Sequence, residues 1–240
     1  MNRFFVEKTM IQDGSVLLDG AYAHQIVHVL RLKAGDQVEV LDNSGLACRV
    51  ELTEVLTGRV SGRILDRAPC PTEPKVRITL FQAMLKRDKF EWVLQKGTEV
   101  GMARIVPVVT SRTLVQKTEA KAGKLDRWRT ILREAAEQSG RGRIPELSEP
   151  IPFREALAGG PALGLMASTE PQTRPIDQVL TGRTGTIGLF IGPEGGFDPQ
   201  ETAMAKEAGI ACISLGKRIL RTETAAVVAL TLTLNACGDL

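Results

Sequence analysis

The sequence predicts an α/β protein in two parts, a small all-β domain followed by a mainly parallel sheet flanked by helices. Three observations carry this reading. Short β-like runs separated by turn residues fill the chain up to about residue 68. A proline-rich segment, Ala68-Pro-Cys-Pro-Thr-Glu-Pro74, then restricts helix and removes ladder donors, which makes it the best linker candidate. Beyond it, apolar strand runs alternate with amphipathic helical patterns, the rhythm of βαβ units. The domains are accordingly expected over residues 1–70 and 74–240.

In the first part the strand candidates are residues 3–6, 15–18, 37–41, 48–52 and 59–65. One short helix candidate, residues 21–30, has Ala23, Ile26, Val27 and Leu30 at helical spacing and Asp19 as a potential cap. Asp42-Asn43-Ser44-Gly45 between two strand runs is a hairpin-type turn. Many short strands with such turns suggest a small β-barrel or a sandwich. In the second part the candidates are strand 76–83, helix 87–100, strand 105–109, helix 121–139, helix 153–157, strands 162–167 and 186–191, helix 199–208, strand 211–215 and helix 224–236. In open parallel sheets ligands bind beyond the carboxyl ends of the strands.

Composition bounds the function. With 43% hydrophobic and 25% charged residues in 240, the chain is of globular type, not disordered, collagenous or coiled-coil. The net charge of +3 is too small to argue for a nucleic-acid partner. Its distribution is more informative, because residues 73–150 hold 16 basic and 10 acidic residues while the flanking segments are near neutral. Cys48, Cys70, Cys212 and Cys237 form no CxxC pair for zinc or redox chemistry, so buried reduced thiols are expected. The N-terminal MNRFFVEKTMIQDGS lacks a signal-peptide apolar core, and the most apolar run, 225–236, falls short of the roughly 20 residues a bilayer span needs. A soluble, cytoplasmic protein without membrane or metal is the expectation.

Several chemistries lose their sequence support. His24 and His28 have the i, i+4 spacing of zinc peptidases, but Gln25 stands where the general base would be, and the chain has no other histidine. There is no GxSxG elbow, no GxxxxGK[ST] loop, and no GxGxxG after the first strand of the α/β part.

Three motifs remain. Ile191-Gly192-Pro193-Glu194-Gly195-Gly196-Phe197 joins a strand to a helix with Asp198 at the cap and Pro199 next; it is either a structural turn or a place where a ligand approaches main-chain amides. Ser214 to Ala226 joins another strand to a helix and is longer than such a turn requires, with Ile219-Leu220 embedded among charges. A buried ionic segment or a polar-ligand site would each produce that pattern. The third is the basic middle: Lys86-Arg87-Asp88-Lys89, Lys96, Arg104, Lys117, Lys121, Lys124, Arg127, Arg129, Arg133, then Glu137-Gln138-Ser139-Gly140-Arg141. A solvated helix face is one origin; the excess of cations favours phosphate contacts.

Together with KGTEVG at residues 96–101, EQSGR at 137–141, LGKRILRTETAA at 215–226, and the N-terminal Arg3-Phe4-Phe5 and HVLRLKAGD at 28–36, these motifs resemble the RsmE family of ribosomal RNA methyltransferases across the whole chain. The resemblance implies a PUA-like β-barrel for RNA contact, then a SPOUT-type parallel sheet whose C-terminal segment forms a deep trefoil knot, in a homodimer. It implies methyl transfer from S-adenosyl-L-methionine to N3 of one uridine of 16S ribosomal RNA within the assembled small subunit. The cofactor loops would then comprise Leu165, Met166, Ile191, Gly192, Pro193, Gly195, Gly196, Leu215, Gly216, Ile219 and Leu220. Arg221 is the expected cation facing the uracil oxygens. Glu223 would be the base or orient Arg221, with Glu194 the second carboxylate. RNA contacts are expected at Arg3, Arg31, Lys86, Arg87 and Arg141. A noncatalytic RNA-binding assembly factor and a Rossmann-like nucleotide enzyme are the competing readings.

Overall fold

The structure, a computed structural model, describes residues 1–114, 122–160, 163–170, 173–180 and 185–240. Lys117, Lys121 and Ala162, which fall in expected elements or motifs, lie outside the described residues. The chain forms two compact units, Met1–Glu73 with Ala136–Ile144, and Pro74–Ala135 with Pro145–Leu240.

The first unit is built on a six-stranded sheet of β1 (Asn2–Phe5), β2 (Ile11–Gln12), β3 (Ser15–Asp19), β4 (Gln37–Leu41), β5 (Leu46–Leu56) and β6 (Arg59–Pro69), in the order β1-β4-β5-β6-β3-β2. Only the β1–β4 pairing is parallel. Alternation buries Val38, Val40, Val50, Leu52, Val60, Val16 and Leu18 on one face against Phe4 and Ile26. The Asp42–Gly45 turn works as its residues demand: Asn43 and Gly45 take positive φ of 66° and 92°. β5 and β6 run longer than their apolar cores because register shifts at Arg49/Val50 and Leu52/Glu54 let the ribbon bend without losing its pairing. α1 (Gly20–His24) passes into a wider helical turn over Gln25–Val29, and Asp19 stands at its cap position without a side-chain cap bond. Asp19 is still the paired last residue of β3, opposite Arg59, so the strand sets its direction.

The second unit contains β7 (Arg77–Ala83), α2 (Arg87–Val100), β8 (Arg104–Val109), the greater part of α3 (Ala122–Gln138), β9 (Glu146–Leu147), β10 (Ile151–Pro152), α4 (Phe153–Ala158), β11 (Leu163–Ala167), β12 (Arg174–Pro175), α5 (Ile176–Leu180), β13 (Thr186–Ile191), α6 (Pro199–Glu207), β14 (Ala211–Ser214) and α7 (Thr222–Ala236). Among the described residues all its strand pairings are parallel, in the order β10-β8-β7-β13-β11-β14-β12 with β9 beside β8. β7 is buried from Ile78 to Ala83 on both faces, as a parallel strand covered by helices must be. On α3, Leu125, Trp128, Leu132 and Ala135 are buried, and Trp128 stacks on Phe90 of α2 with ring centroids 4.4 Å apart. At the end of α2, Gly101 has φ of 125°, and a Cβ there would lie 2.8 Å from the Pro74 ring. Among the described residues no helix is long and apolar enough to cross a membrane.

Candidate active site

The strand order decides where the motifs meet. β11 pairs with β13 on one side (Met166 opposite Phe190) and with β14 on the other (Ala167 opposite Ile213). The loops leaving these three carboxyl ends therefore emerge side by side, as expected for a parallel sheet. They enclose a cleft of about 1090 Å³ within the second unit.

The glycine turn after β13 is held from three directions. Gly196 has φ of 69°, and its N–H donates to the Pro193 carbonyl at 2.9 Å. Asp198 caps α6 and Pro199 stands in its first turn, as the sequence pattern predicts, and Glu201 completes a reciprocal capping box. Arg112 donates to the Gly195 carbonyl at 2.8 Å. On the third side the Thr222 hydroxyl donates to the Gly192 carbonyl at 2.5 Å and accepts from Gln82 Nε2 at 3.2 Å, with both side chains buried. Thr222→Val keeps the shape but takes the donor from the Gly192 carbonyl and one of the two acceptors from buried Gln82 Nε2, which keeps its bond to the Ala83 carbonyl. Urea unfolding should show a loss of about 1–3 kcal/mol; an unchanged midpoint would remove this bridge from the account.

After β14 the chain turns at Gly216, whose φ of 121° disfavours any side chain. Its N–H donates to Ser214 Oγ at 3.2 Å. Lys217, Arg218 and Ile219 are exposed, Ile219 to 86%, while Leu215 and Leu220 are half-buried.

Of the residues singled out from sequence, Ile191, Gly192, Pro193, Gly195, Gly196, Leu215, Gly216, Ile219 and Leu220 line this cleft, together with Glu194 and Arg221. Leu165 and Met166 do not. Both are fully buried in the middle of a strand with neighbours on each side, so the wall begins at Ala167 and continues through Ser168, Thr169 and Glu170, beyond the last ladder bonds.

The charges sort differently from the sequence expectation. Arg221, the N-cap residue of α7, is exposed and makes no ion pair with any described residue. Glu223, in the first turn of α7, is paired instead with Lys89, Nζ to Oε2 at 3.6 Å, and does not line the cleft. Lys89 also bonds Glu194 at 3.1 Å and does line it. The hydrogen bond that Lys89 donates to Glu194 raises the Lys89 pKa above the ordinary lysine range, helped by the charges of both carboxylates. Burial pushes the Glu194 carboxyl up, but its own backbone N–H, Lys89 and Lys86 outweigh that and hold it below the usual range. Sequence reasoning grouped Lys89 with its basic neighbours. The available signal was helical phase: two residues beyond Arg87, Lys89 points roughly 200° away around the helix.

The expected RNA-contacting cations divide into two sets. Arg31, Lys86 and Arg87 are exposed. Arg3 and Arg141 are committed inside the first unit. Arg3 pairs with Glu39 and donates to the Gly140 carbonyl at 2.6 Å. The Arg141 side chain is 4% exposed and is bound through Nε and Nη2 to both oxygens of Glu73 at 2.8 and 3.0 Å. A guanidinium so enclosed has no face left for a phosphate, which corrects the assignment made from charge and motif position.

A chain that carries a parallel sheet with a glycine turn and a long basic loop at adjacent strand ends, and a separate six-stranded unit, has the parts of an RNA methyltransferase. Residues 72–234 match the RNA methyltransferase domain family, and residues 18–65 match the RNA methyltransferase PUA domain. The chain belongs to the family of ribosomal RNA small subunit methyltransferase E. It is 35% identical to the Synechocystis member over 95% of this chain and 75% of that one, and 30% identical to the Bacillus subtilis member over 96% and 95%. The crystal structure of the Neisseria gonorrhoeae enzyme bound to S-adenosyl methionine superposes with a TM-score of 0.89 at 33% identity, covering 98% of this chain and 97% of that one.

Proposed function

We propose that this protein methylates N3 of a uridine in 16S ribosomal RNA within the assembled small subunit, using S-adenosyl-L-methionine, and that it works in the cytoplasm. The observation that carries the reading is the cleft at three adjacent strand ends, in a chain whose relatives are small-subunit rRNA methyltransferases and include one solved with S-adenosyl methionine.

The residues present suit that ligand. The glycine turn and Leu215–Gly216 offer main-chain groups to an adenine edge, and buried Ile191 with half-buried Leu215 and Leu220 supply an apolar wall. S-adenosyl-L-methionine, when bound, supplies the methyl: its S–CH₃ bond breaks as the N3–CH₃ bond forms, and the sulfur leaves as a neutral thioether. The chain's part is to remove the N3 proton and hold the resulting charge. Glu194, ionised at neutral pH and in the cleft wall, accepts the proton. Arg221, with no internal partner among the described residues, faces the uracil oxygens. The finer architecture follows the same reading: the sheet of the first unit closes as a PUA-like barrel, and the segment from β13 through α7 forms the trefoil knot. α7 is apolar along most of its length while Val227, Val228 and Leu232 keep partial exposure, which suits a homodimer contact.

The test is incubation of protein, labelled S-adenosyl-L-methionine and small subunits lacking the modification, with the label mapped by nuclease digestion. Label at a single uridine N3 is expected. Subunit binding without label would leave a noncatalytic assembly factor. Lys86→Glu with Arg87→Glu should weaken subunit binding and lower the slope of log K against log salt by about two; an unchanged slope removes these cations from the RNA face.

A further inference from the structure

Lys89 differs from the two cations just before it, Lys86 at the N-cap of α2 and Arg87 in its first turn. Lys86 and Arg87 are exposed, whereas the Lys89 side chain is 30% exposed and lines the cleft. It stands between two carboxylates from different elements, Glu194 on the glycine turn at 3.1 Å and Glu223 on the first turn of α7 at 3.6 Å.

We infer that Lys89 is a further catalytic residue of the methyl-transfer site: oriented by Glu194 and Glu223, its ammonium donates a hydrogen bond to a carbonyl oxygen of the target base.

Three features carry this. An ammonium has three N–H donors. Lys89 uses one on Glu194, while Glu223 lies beyond hydrogen-bond distance, so donor capacity remains on the side that lines the cleft. The second feature is restraint. Two carboxylates anchored on separate elements hold a long flexible side chain that would otherwise sample many rotamers, and such preorganisation makes a charge effective in a transition state. Glu223 is itself mostly enclosed, its side chain 15% exposed, and its charge sits in the first turn of α7, where the helix dipole favours it. The third is charge balance. When the N3 proton passes to Glu194, that carboxylate becomes neutral, Lys89 keeps its protons, and Glu223 remains as its counter-charge. The negative charge left on the imide spreads to the two ring carbonyl oxygens, which is where the ammonium acts. Its raised pKa keeps it a donor throughout.

This inference rests on the reading of the cleft given above, and the experiment separates the two. Lys89→Gln, with Lys89→Met as a second variant, is compared with wild type for single-turnover methylation, S-adenosyl-L-methionine affinity by calorimetry and subunit affinity as a function of salt. Turnover should fall about 10–100-fold with both affinities within about twofold, and Lys89→Arg should recover part of it. Adding Glu223→Gln to Lys89→Gln should lower turnover little further, because Glu223 acts through Lys89. In the unliganded protein, ¹³C titration should show the Glu194 carboxyl ionising at higher pH in Lys89→Gln than in wild type. A reduced salt slope with unchanged turnover would make Lys89 a phosphate contact and overturn the role. So would additive effects of the two substitutions, or an unmoved Glu194 titration. A wild type that methylates while Lys89→Gln keeps its rate overturns this role alone; a wild type that transfers no methyl group overturns the reading of the cleft and this role with it.

Discussion

Replacing Arg221 by alanine is expected to lower turnover about 10²–10³-fold while S-adenosyl-L-methionine affinity stays within about twofold. The expectation follows from what Arg221 does not do within the fold. It occupies the N-cap position of α7, but no side-chain cap bond is formed, and its guanidinium meets no carboxylate among the described residues. Truncation therefore removes little from the native packing, and the melting temperature should hardly move. What it removes is a planar cation in the cleft lining, able to offer its fork of donors to a uracil carbonyl oxygen. Arg221→Lys should recover only part of the rate, since a point charge replaces the fork. Single-turnover methylation with saturating subunits is the measurement, and a rate equal to wild type would remove Arg221 from the chemistry.

Glu73→Ala should destabilise the protein by about 3–5 kcal/mol, the range seen when one member of a buried ion pair is deleted. The Arg141 guanidinium would be left enclosed with its partner gone, and the backbone N–H groups of Gly142 and Arg143, at 2.8 and 3.1 Å from Glu73 Oε1, would lose their acceptor. Relaxation into the space is hindered because the loop is packed tightly: a Cβ on Gly142 would lie 2.6 Å from that of Cys70. Burial raises the Glu73 pKa, but the hydrogen bonds and charge of Arg141, with the two backbone donors, outweigh it and leave the carboxyl below its ordinary range. A depressed folded-state pKa gives stability that is complete above the unfolded value near 4.5 and disappears as pH falls through the folded one. The difference between wild type and Glu73→Gln in urea unfolding should thus be largest near neutrality and shrink below about pH 4.5. A gap independent of pH would contradict the assignment.

Much of the site was legible because its motifs are local. Ile191 to Phe197 carries its own turn glycines, cap and N1 proline, and α6 forms where that pattern ends. Gly216 marks a left-handed turn before the apolar pair Ile219-Leu220, and both motifs line one cleft. The core face of α3 was equally readable, since periodicity records which side is apolar, while β7 was readable as a continuous apolar run. Errors arose where a residue type has several uses. Arg141 reads as a nucleic-acid contact in a basic segment, yet it is an interior ligand of Glu73, 68 residues earlier. Leu165 and Met166 belong to the right strand but sit before its open end. Glu223 and Arg221 are near neighbours in sequence, yet the partner of Glu223 is Lys89 on another helix.

What the sequence alone determined is therefore the longer elements, their periodicity and two glycine-bearing loops at strand ends, because these depend on backbone preferences within a few residues; the two-residue strands and the short helix α5 carry too little pattern to be read. Tertiary structure decided which loops share a wall and which charges are available. β13 enters the sheet between β7 and β11, bringing three strand ends separated in the chain into one row. Whether a cation meets solvent, a carboxylate or a ligand depends on contacts between residues distant in sequence, and such contacts leave no periodic trace. The +3 overall charge illustrates the point: of the cations expected to meet RNA, Arg141 is held inside the protein and half-buried Arg3 is engaged by Glu39, while Lys89, grouped with its basic neighbours, faces the cleft.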